Sequence, residues 1–511
     1  MNRKEKLVLL KNATANVARG SAAAMVAVIL PPFLVRLMSA DSYSAWSLIL
    51  QLCAYVGYLD FGIQTAIGRF VAHANEKGDS ESCDRIVSTS GAVLSAAGIL
   101  AIAGSIGIAV MLPHIFRQIP NALVGDARVA LLIVAISLAI GLPASTFNGI
   151  FIGLQRNEVP ASIISGSRII GAIGLILVVR HGGSLLSMGA ITAAVNLTSY
   201  LFQYWMYRRL ARETRVSRQF ISRAAARELF DYCFSLSIWC FATLLITGLD
   251  LTLVGFFDFH SLGYYSVAAT LITFILGLQN AIFATMIPAA AVLEARDSTS
   301  ELGSILVSTT RYGMFLLLAS GVPLLVATRP ILSVWVGANY ADHASPILRV
   351  LVIANIIRLS AIPYAMLLIG TGQQRLVTVG PLVEGFSNLL VSVIAGAAWG
   401  AVGVAIGTLV GAIVGICFNF IYNMPRSARI AADRLSYFRD GYLRPLICVS
   451  PFLFVYALRG LFPNLTSVTT IQSMLVATIL TLVGTWKFGF SFGERAHLLS
   501  WLGLSPNRAE T

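Results

Sequence analysis

Apolar residues along this chain fall into long blocks separated by short polar links. Most blocks run roughly 20–28 residues, enough for a helix rising 1.5 Å per residue to cross a bilayer core of about 30 Å. Fourteen blocks read as membrane-spanning helices, with approximate limits 13–38, 43–68, 85–112, 127–152, 157–180, 184–207, 229–256, 261–290, 302–328, 345–370, 375–397, 400–423, 440–462 and 468–490. The links are short and leave no extramembrane domain large enough for a soluble catalytic unit. The start MNRKEKLVLLK has the charge of a signal-peptide n-region. The apolar segment after it runs on through PPFLVRLM, too long for such a peptide, so it reads as a retained first span. The predicted fold class is an all-α polytopic membrane protein.

Composition agrees. The chain has 511 residues, 57% hydrophobic and 12% charged, against about 25% charged in an ordinary soluble domain. The net charge of +13 would suggest nucleic acid in a soluble protein. Here the basic residues gather in alternate links: the N-terminus, 69–85, Arg156, the cluster Arg208–Arg227, Arg296, Arg375 and the cluster Arg426–Arg444. That pattern sets topology and meets anionic membrane lipids, so no nucleic-acid partner is expected. The basic side is read as cytoplasmic, with both termini on it, which requires an even number of spans.

The sequence also repeats itself. FNGIFIGLQRNEVP after the fourth span matches YAMLLIGTGQQRLV after the tenth at an offset of about 217–219 residues. NLTSYLFQYWMYRR and ICFNFIYNMPRSAR, at the ends of the sixth and twelfth spans, match at a similar offset. A six-span repeat returns to the same side of the membrane, so its copies are parallel, as in transporters that rock two halves about a site between them. The organisation read from this is an N-terminal lobe at 1–207, a basic linker at 208–228, a C-terminal lobe at 229–423, and a remainder at 424–511. The remainder holds a basic loop, the last two spans and a cytoplasmic tail. Gly403, Gly407, Gly411 and Gly415 form one smooth helix face suited to close packing. Pro31, Pro32, Pro143, Pro288, Pro323, Pro363 and Pro381 permit kinks.

Seven of the charges inside the spans stand out: Arg19, Asp60, Arg168, Asp250, Arg311, Arg358 and Glu384. Asp60 is about 9 residues from the cytoplasmic end of its span, roughly 13 Å deep, and Arg19 reaches similar depth, so Arg19 is its expected partner. The repeat places Arg168 opposite Glu384. The plain alternative for each charge is half of an interhelical ion pair. As a set, four arginines against three acids leave a cationic interior. Guanidinium forks at Arg19, Arg168, Arg311 and Arg358 suit the phosphate or diphosphate of an anionic headgroup. Asp60, Asp250 and Glu384 are then ion-pair partners, or carboxylates that couple transport to H⁺ or Na⁺. No catalytic motif is present: no HExxH, Walker A or nucleophile elbow, and all six histidines lie in links or the tail. The six cysteines form no CxxC pair, so no metal site or other cofactor is expected.

The basic N-terminus, the six-plus-six-plus-two span pattern, YLDFGIQTAIGRFVA closing the second span and IGLQR after the fourth resemble bacterial polysaccharide flippases. These are the O-antigen and exopolysaccharide translocases of the superfamily that also holds MATE drug exporters and lipid II flippases. The resemblance implies two six-helix lobes around a central cavity plus two C-terminal helices, in the bacterial cytoplasmic membrane. It implies an undecaprenyl-diphosphate oligosaccharide as substrate, and a polysaccharide polymerase and chain-length regulators as partners. It matches Arg19 and Asp60 in position and says nothing of the other charges. A MATE-like exporter of cations and a membrane-embedded polymerase or transferase are the competing readings.

Overall fold

A computed structural model describes residues 3–211, 213–283, 286–294, 296, 299–427, 429–430, 432–461, 467–490 and 494–495. Among them every regular element is a helix. Helix α1 (Arg3–Leu37) runs through Pro31 and Pro32 without ending. Ser39 then caps α2 (Ala40–Tyr58) by accepting from Ser42 N at 3.2 Å. Where one span was expected over 43–68, the chain breaks at Leu59–Gly62 and restarts as α3 (Ile63–Lys77). Phe61 and Gly62 are both left-handed, with φ of +48° and +77°. A Cβ on Gly62 would stand 2.8 Å from Leu236 Cδ1, so only glycine fits there.

Helices α4 (Ser80–Ile115), α5 (Asn121–Gly153), α6 (Glu158–Arg180) and α7 (Leu185–Leu210) follow the predicted spans. Their approach is close because small residues allow it. A Cβ on Gly98 of α4 would lie 2.8 Å from Ala139 O of α5, and one on Gly153 would lie 2.6 Å from Val71 of α3. Helix α1 packs chiefly against α6.

The next predicted spans are segmented. Helix α8 (Arg223–Thr243) passes through a π-helical turn at Leu244–Gly248 into α9 (Asp250–Phe257). Then come α10 (Leu262–Phe283), α11 (Met286–Glu294), α12 (Thr299–Val326) and α13 (Thr328–Val336). Helix α14 (Ala338–Leu359) stops two residues before α15 (Ile362–Gly370), which opens on Pro363. Helix α16 (Gln374–Phe418) contains a sharp turn at Trp399 and Gly400 (φ +55°, ψ −135°). Its two arms fold back on each other. Cβ atoms on Gly403, Gly407 and Gly411 would lie 2.0 Å from Ala395 O, 2.0 Å from Ser392 Oγ and 2.8 Å from Asn388 Cβ. The glycine face is therefore a backbone-to-backbone seam, and the two arms are the predicted spans 375–397 and 400–423.

Short turns α17 (Met424–Arg426) and α18 (Arg434–Ser436) lead to α19 (Arg444–Leu461) and α20 (Ser467–Gly484). These last two helices stand where spans 440–462 and 468–490 were expected. Residues 462–466, and the tail past 490 apart from Glu494 and Arg495, lie outside the described residues. Among the described residues, eleven helical stretches are long and apolar enough to cross a membrane. The turn at Gly400 divides the last of them, Leu376–Arg426. The chain is an all-α polytopic membrane protein.

The two segments that match in sequence end in the same helix-terminal turn. After α5, Leu154, Gln155 and Arg156 donate to Ile150, Ile152 and Phe151; after α15, Thr371, Gly372 and Gln373 donate to Leu367, Ile369 and Leu368. Each donor and acceptor recurs 217 positions later. Gln155 (φ +55°) and Gly372 (φ +70°) share the left-handed conformation. The chain forms two compact units: Met1–Gly277 with Leu332–Ile347 and Pro381–Gly411, and Leu278–Ile331 with Leu348–Gly380 and Ala412–Thr511.

Candidate functional site

In the first unit, Asp60 lies in the break between α2 and α3. Its Oδ2 accepts from Gln64 N at 3.5 Å, and the Ser145 hydroxyl lies beside it. Its Oδ1 is buried with no hydrogen-bond partner among the described residues. Cys233 and Cys240 of α8 are its electrostatic neighbours. The expected Arg19–Asp60 pair does not form among the described residues. Equal depth did not make them adjacent, because α1 lies on α6. Arg69, on α3, sits over the Tyr232 ring at 4.8 Å.

Arg19 instead lies near enough to Arg168, across the α1–α6 contact, for its charge to act on the Arg168 guanidinium. Arg19 is half-buried and Arg168 exposed, about 15 Å along a helix of 23 residues. Neither has an ion-pair partner among the described residues. Two like charges held together disfavour each other unless solvent or an anion lies between them. An anion carrying more than one negative charge suits such a pair.

Asp250 lies at the start of α9, just beyond the π-helical turn, and is 7% exposed. Tyr265 OH and Thr408 Oγ1 donate to its Oδ2 at 3.1 and 3.2 Å, and Asn388 Nδ2 approaches Oδ1 at 3.5 Å. The π turn leaves carbonyls without their helical donors, and side chains take over. Asn388 Nδ2 donates to Ile246 O at 2.7 Å, while Gln51 Nε2 and Tyr55 OH donate to Gly248 O at 2.5 and 2.9 Å. Ser392 Oγ completes the cluster by donating to Asn388 Oδ1 at 2.9 Å. The surroundings of Asp250 are thus rich in oxygen atoms, which suits a proton or a hard monovalent cation. No group of three or more His, Cys, Asp or Glu side chains gathers among the described residues. Glu384, one turn before Asn388 on α16, is half-buried, and its carbonyl borders Gly411.

In the second unit, Arg311 of α12 is 6% exposed and pairs with Glu494, which Tyr312 OH also contacts. Arg358, in the last turn of α14, donates to Asn355 Oδ1, and its Nη1 is buried with no partner among the described residues. Asn388, Thr408, Tyr265, Asn355 and Glu494 were not singled out in the sequence. An uncharged polar residue in an apolar run is a weak signal.

Residues 9–294 match a family described as polysaccharide biosynthesis protein. No curated protein matches the chain. Among solved structures, the lipid II flippase MurJ in an inward closed conformation superposes with a TM-score of 0.72 at 14% identity, covering 93% of this chain and 98% of that one. An inward-facing multidrug resistance MATE family transporter of the MOP superfamily gives 0.59 at 15% identity, covering 80% of this chain and 98% of that one. The Vibrio cholerae MATE transporter VcmN gives 0.58 at 12% identity, covering 84% of this chain and 98% of that one. At such identities the likeness is one of fold. With more than half its length matched and the fold of multi-pass membrane transporters, the chain belongs to the polysaccharide biosynthesis protein family.

Proposed function

We propose that this protein is a flippase. It moves an undecaprenyl-diphosphate-linked oligosaccharide from the inner to the outer leaflet of the bacterial cytoplasmic membrane by alternating access. The product feeds O-antigen, capsule or exopolysaccharide assembly, with a polymerase and chain-length regulators as downstream partners. Both termini are cytoplasmic. The observation that carries the reading is the pair Arg19 and Arg168, two neighbouring cations with no carboxylate paired to either among the described residues. The family and the fold shared with a lipid II flippase support a lipid-linked substrate. Permanently charged guanidinium forks bind a diphosphate, while the polyprenyl tail stays in lipid.

Coupling falls to Asp250. A bound proton or Na⁺ would change the charge of this site, and so bias one conformation over another through a difference in affinity. Asp250, Asn388 and Thr408 are the residues that would hold it. No step of bond making or breaking is required of the protein.

The test uses the purified full chain in proteoliposomes, with a lipid-linked oligosaccharide whose sugar becomes accessible to an external glycosidase after flipping. Wild type is expected to expose the sugar, and Arg168→Gln to do so at least about tenfold more slowly at unchanged melting temperature. Undiminished flipping in both Arg168→Gln and Arg19→Gln, or transport of a cationic drug in place of the lipid, overturns the reading.

A further inference from the structure

Helices α4, α5 and α7 enclose an apolar groove of about 880 Å³ in the first unit. One end is closed by the segment joining α7 to α8, which is tied down on α4. Asp84 Oδ1 accepts from Arg215 N at 2.6 Å, Ser88 Oγ from Ser217 N at 3.0 Å, and Thr89 Oγ1 from Ser222 N at 3.1 Å. Tyr207 OH donates to Thr214 O at 2.6 Å. These bonds hold the exposed Arg218 at the mouth of the groove.

Three features narrow the occupant. The first is length. Ser88 lies at the Arg218 end and Ile99 lies 11 residues further along α4, about 16 Å away, or half of a bilayer core of about 30 Å. Ile99 and Leu201 on the walls are each 69% exposed, so the groove opens sideways. The second is charge: a basic side chain at the interfacial end of an apolar cleft between membrane helices suits an anionic headgroup. The third is Thr146. It is 2% exposed, lines the groove, and its Oγ1 has no hydrogen-bond partner among the described residues. It stands opposite Gly91, where a Cβ would be 3.8 Å from that oxygen, about one helical turn beyond Ser88. A buried hydroxyl one turn below a cation matches the ester carbonyl one step below a lipid phosphate.

We infer that this groove binds an anionic glycerophospholipid. Its phosphate sits on Arg218, an ester carbonyl accepts from the Thr146 hydroxyl, and one acyl chain lies along α4 and α7. A polyprenyl phosphate shares the charge and the tail but has no ester carbonyl for Thr146. The site is separate from the Arg19–Arg168 pair and does not depend on what the protein transports.

The experiment places the full-length protein in phosphatidylcholine nanodiscs with phosphatidylglycerol that carries a photoreactive group in one acyl chain, and maps the labelled peptides. Label is expected on the groove faces of α4 and α7. It should fall about fivefold in Arg218→Gln, the effect of one interfacial cation, and return in Arg218→Lys. It should be lost in Ala96→Trp, which fills the groove from an exposed position. Melting temperatures check that the variants are folded. Equal labelling of wild type and Arg218→Gln, or equal labelling by photoreactive phosphatidylcholine, overturns the inference. Protection by polyprenyl phosphate where unlabelled phosphatidylglycerol gives none also overturns it and assigns the groove to that lipid.

Discussion

Thr408 Oγ1 donates to Asp250 Oδ2 at 3.2 Å, joining the second arm of α16 to a carboxylate 158 positions earlier in the chain. With Tyr265 and Asn388 it helps make this buried acid tolerable. Thr408→Val keeps the shape and removes the donor. Interhelical hydrogen bonds in membranes average about 0.6 kcal/mol and reach about 1.7. A carboxylate acceptor places this one toward the upper end. The melting temperature should fall by a few degrees and recover in Thr408→Ser. Asp250→Asn should fold but lose the dependence of transport on the ion gradient, read in proteoliposomes with and without that gradient.

Gly407→Ala should be far worse than its small size suggests. The added carbon would lie 2.0 Å from Ser392 Oγ and 2.6 Å from Ser392 N, where backbone cannot retreat. Overpacking of this kind costs about 1–3 kcal/mol or more. Gly104→Ala is the control, because nothing lies within 4 Å of its Cβ position. Expression level and melting temperature of the two variants should diverge sharply.

Arg311 and Arg358 should separate in behaviour, although the sequence suggests both as substrate ligands. Arg311 is committed to Glu494. Arg311→Ala and Glu494→Ala should each lower stability, and the double variant should be little worse than either, the signature of a coupled pair. Arg358 has a free nitrogen among the described residues. Arg358→Ala should leave the melting temperature nearly unchanged while slowing transport. A double-mutant thermal cycle and a flipping assay on the same preparations decide between these roles.

Phe61 holds φ at +48° beside the packed Gly62. A left-handed conformation costs a non-glycine residue about 1–2 kcal/mol. Phe61→Gly should relieve that strain but also free the unfolded chain, so the net gain in stability should be under about 1 kcal/mol. If the aromatic ring contributes to transport, the same variant should lose activity at undiminished stability.

Much of the architecture was legible in the residues. Runs of apolar side chains dictate helices in lipid, because every backbone group must find a partner within the segment. IGLQ and IGTG, each read as the end of a span, carry the same turn in space. The breaks were less legible. Pro363 announces one, but Leu59–Gly62 and Leu244–Gly248 interrupt their helices without proline. Nor could depth along a helix reveal azimuth. Arg19 and Asp60 share a level, yet α1 turns toward α6 and brings Arg19 to Arg168. Asp250 was visible as a charge, whereas its partners Asn388 and Thr408 were uncharged residues in apolar runs, and pairing across 138 and 158 positions is a property of tertiary packing alone.

The turn at Trp399–Gly400 also bears on the order in which the protein is made. Its two arms meet through residues as close as Ala395 and Gly403, so closing them costs little loop entropy. The seam needs no later helix: Ser392 Oγ already reaches Val404 O at 3.2 Å within the hairpin. During synthesis α16 can therefore enter the membrane as a finished pair before α19 and α20 have left the ribosome. Thr408 would then be presented to a waiting Asp250 in one docking event.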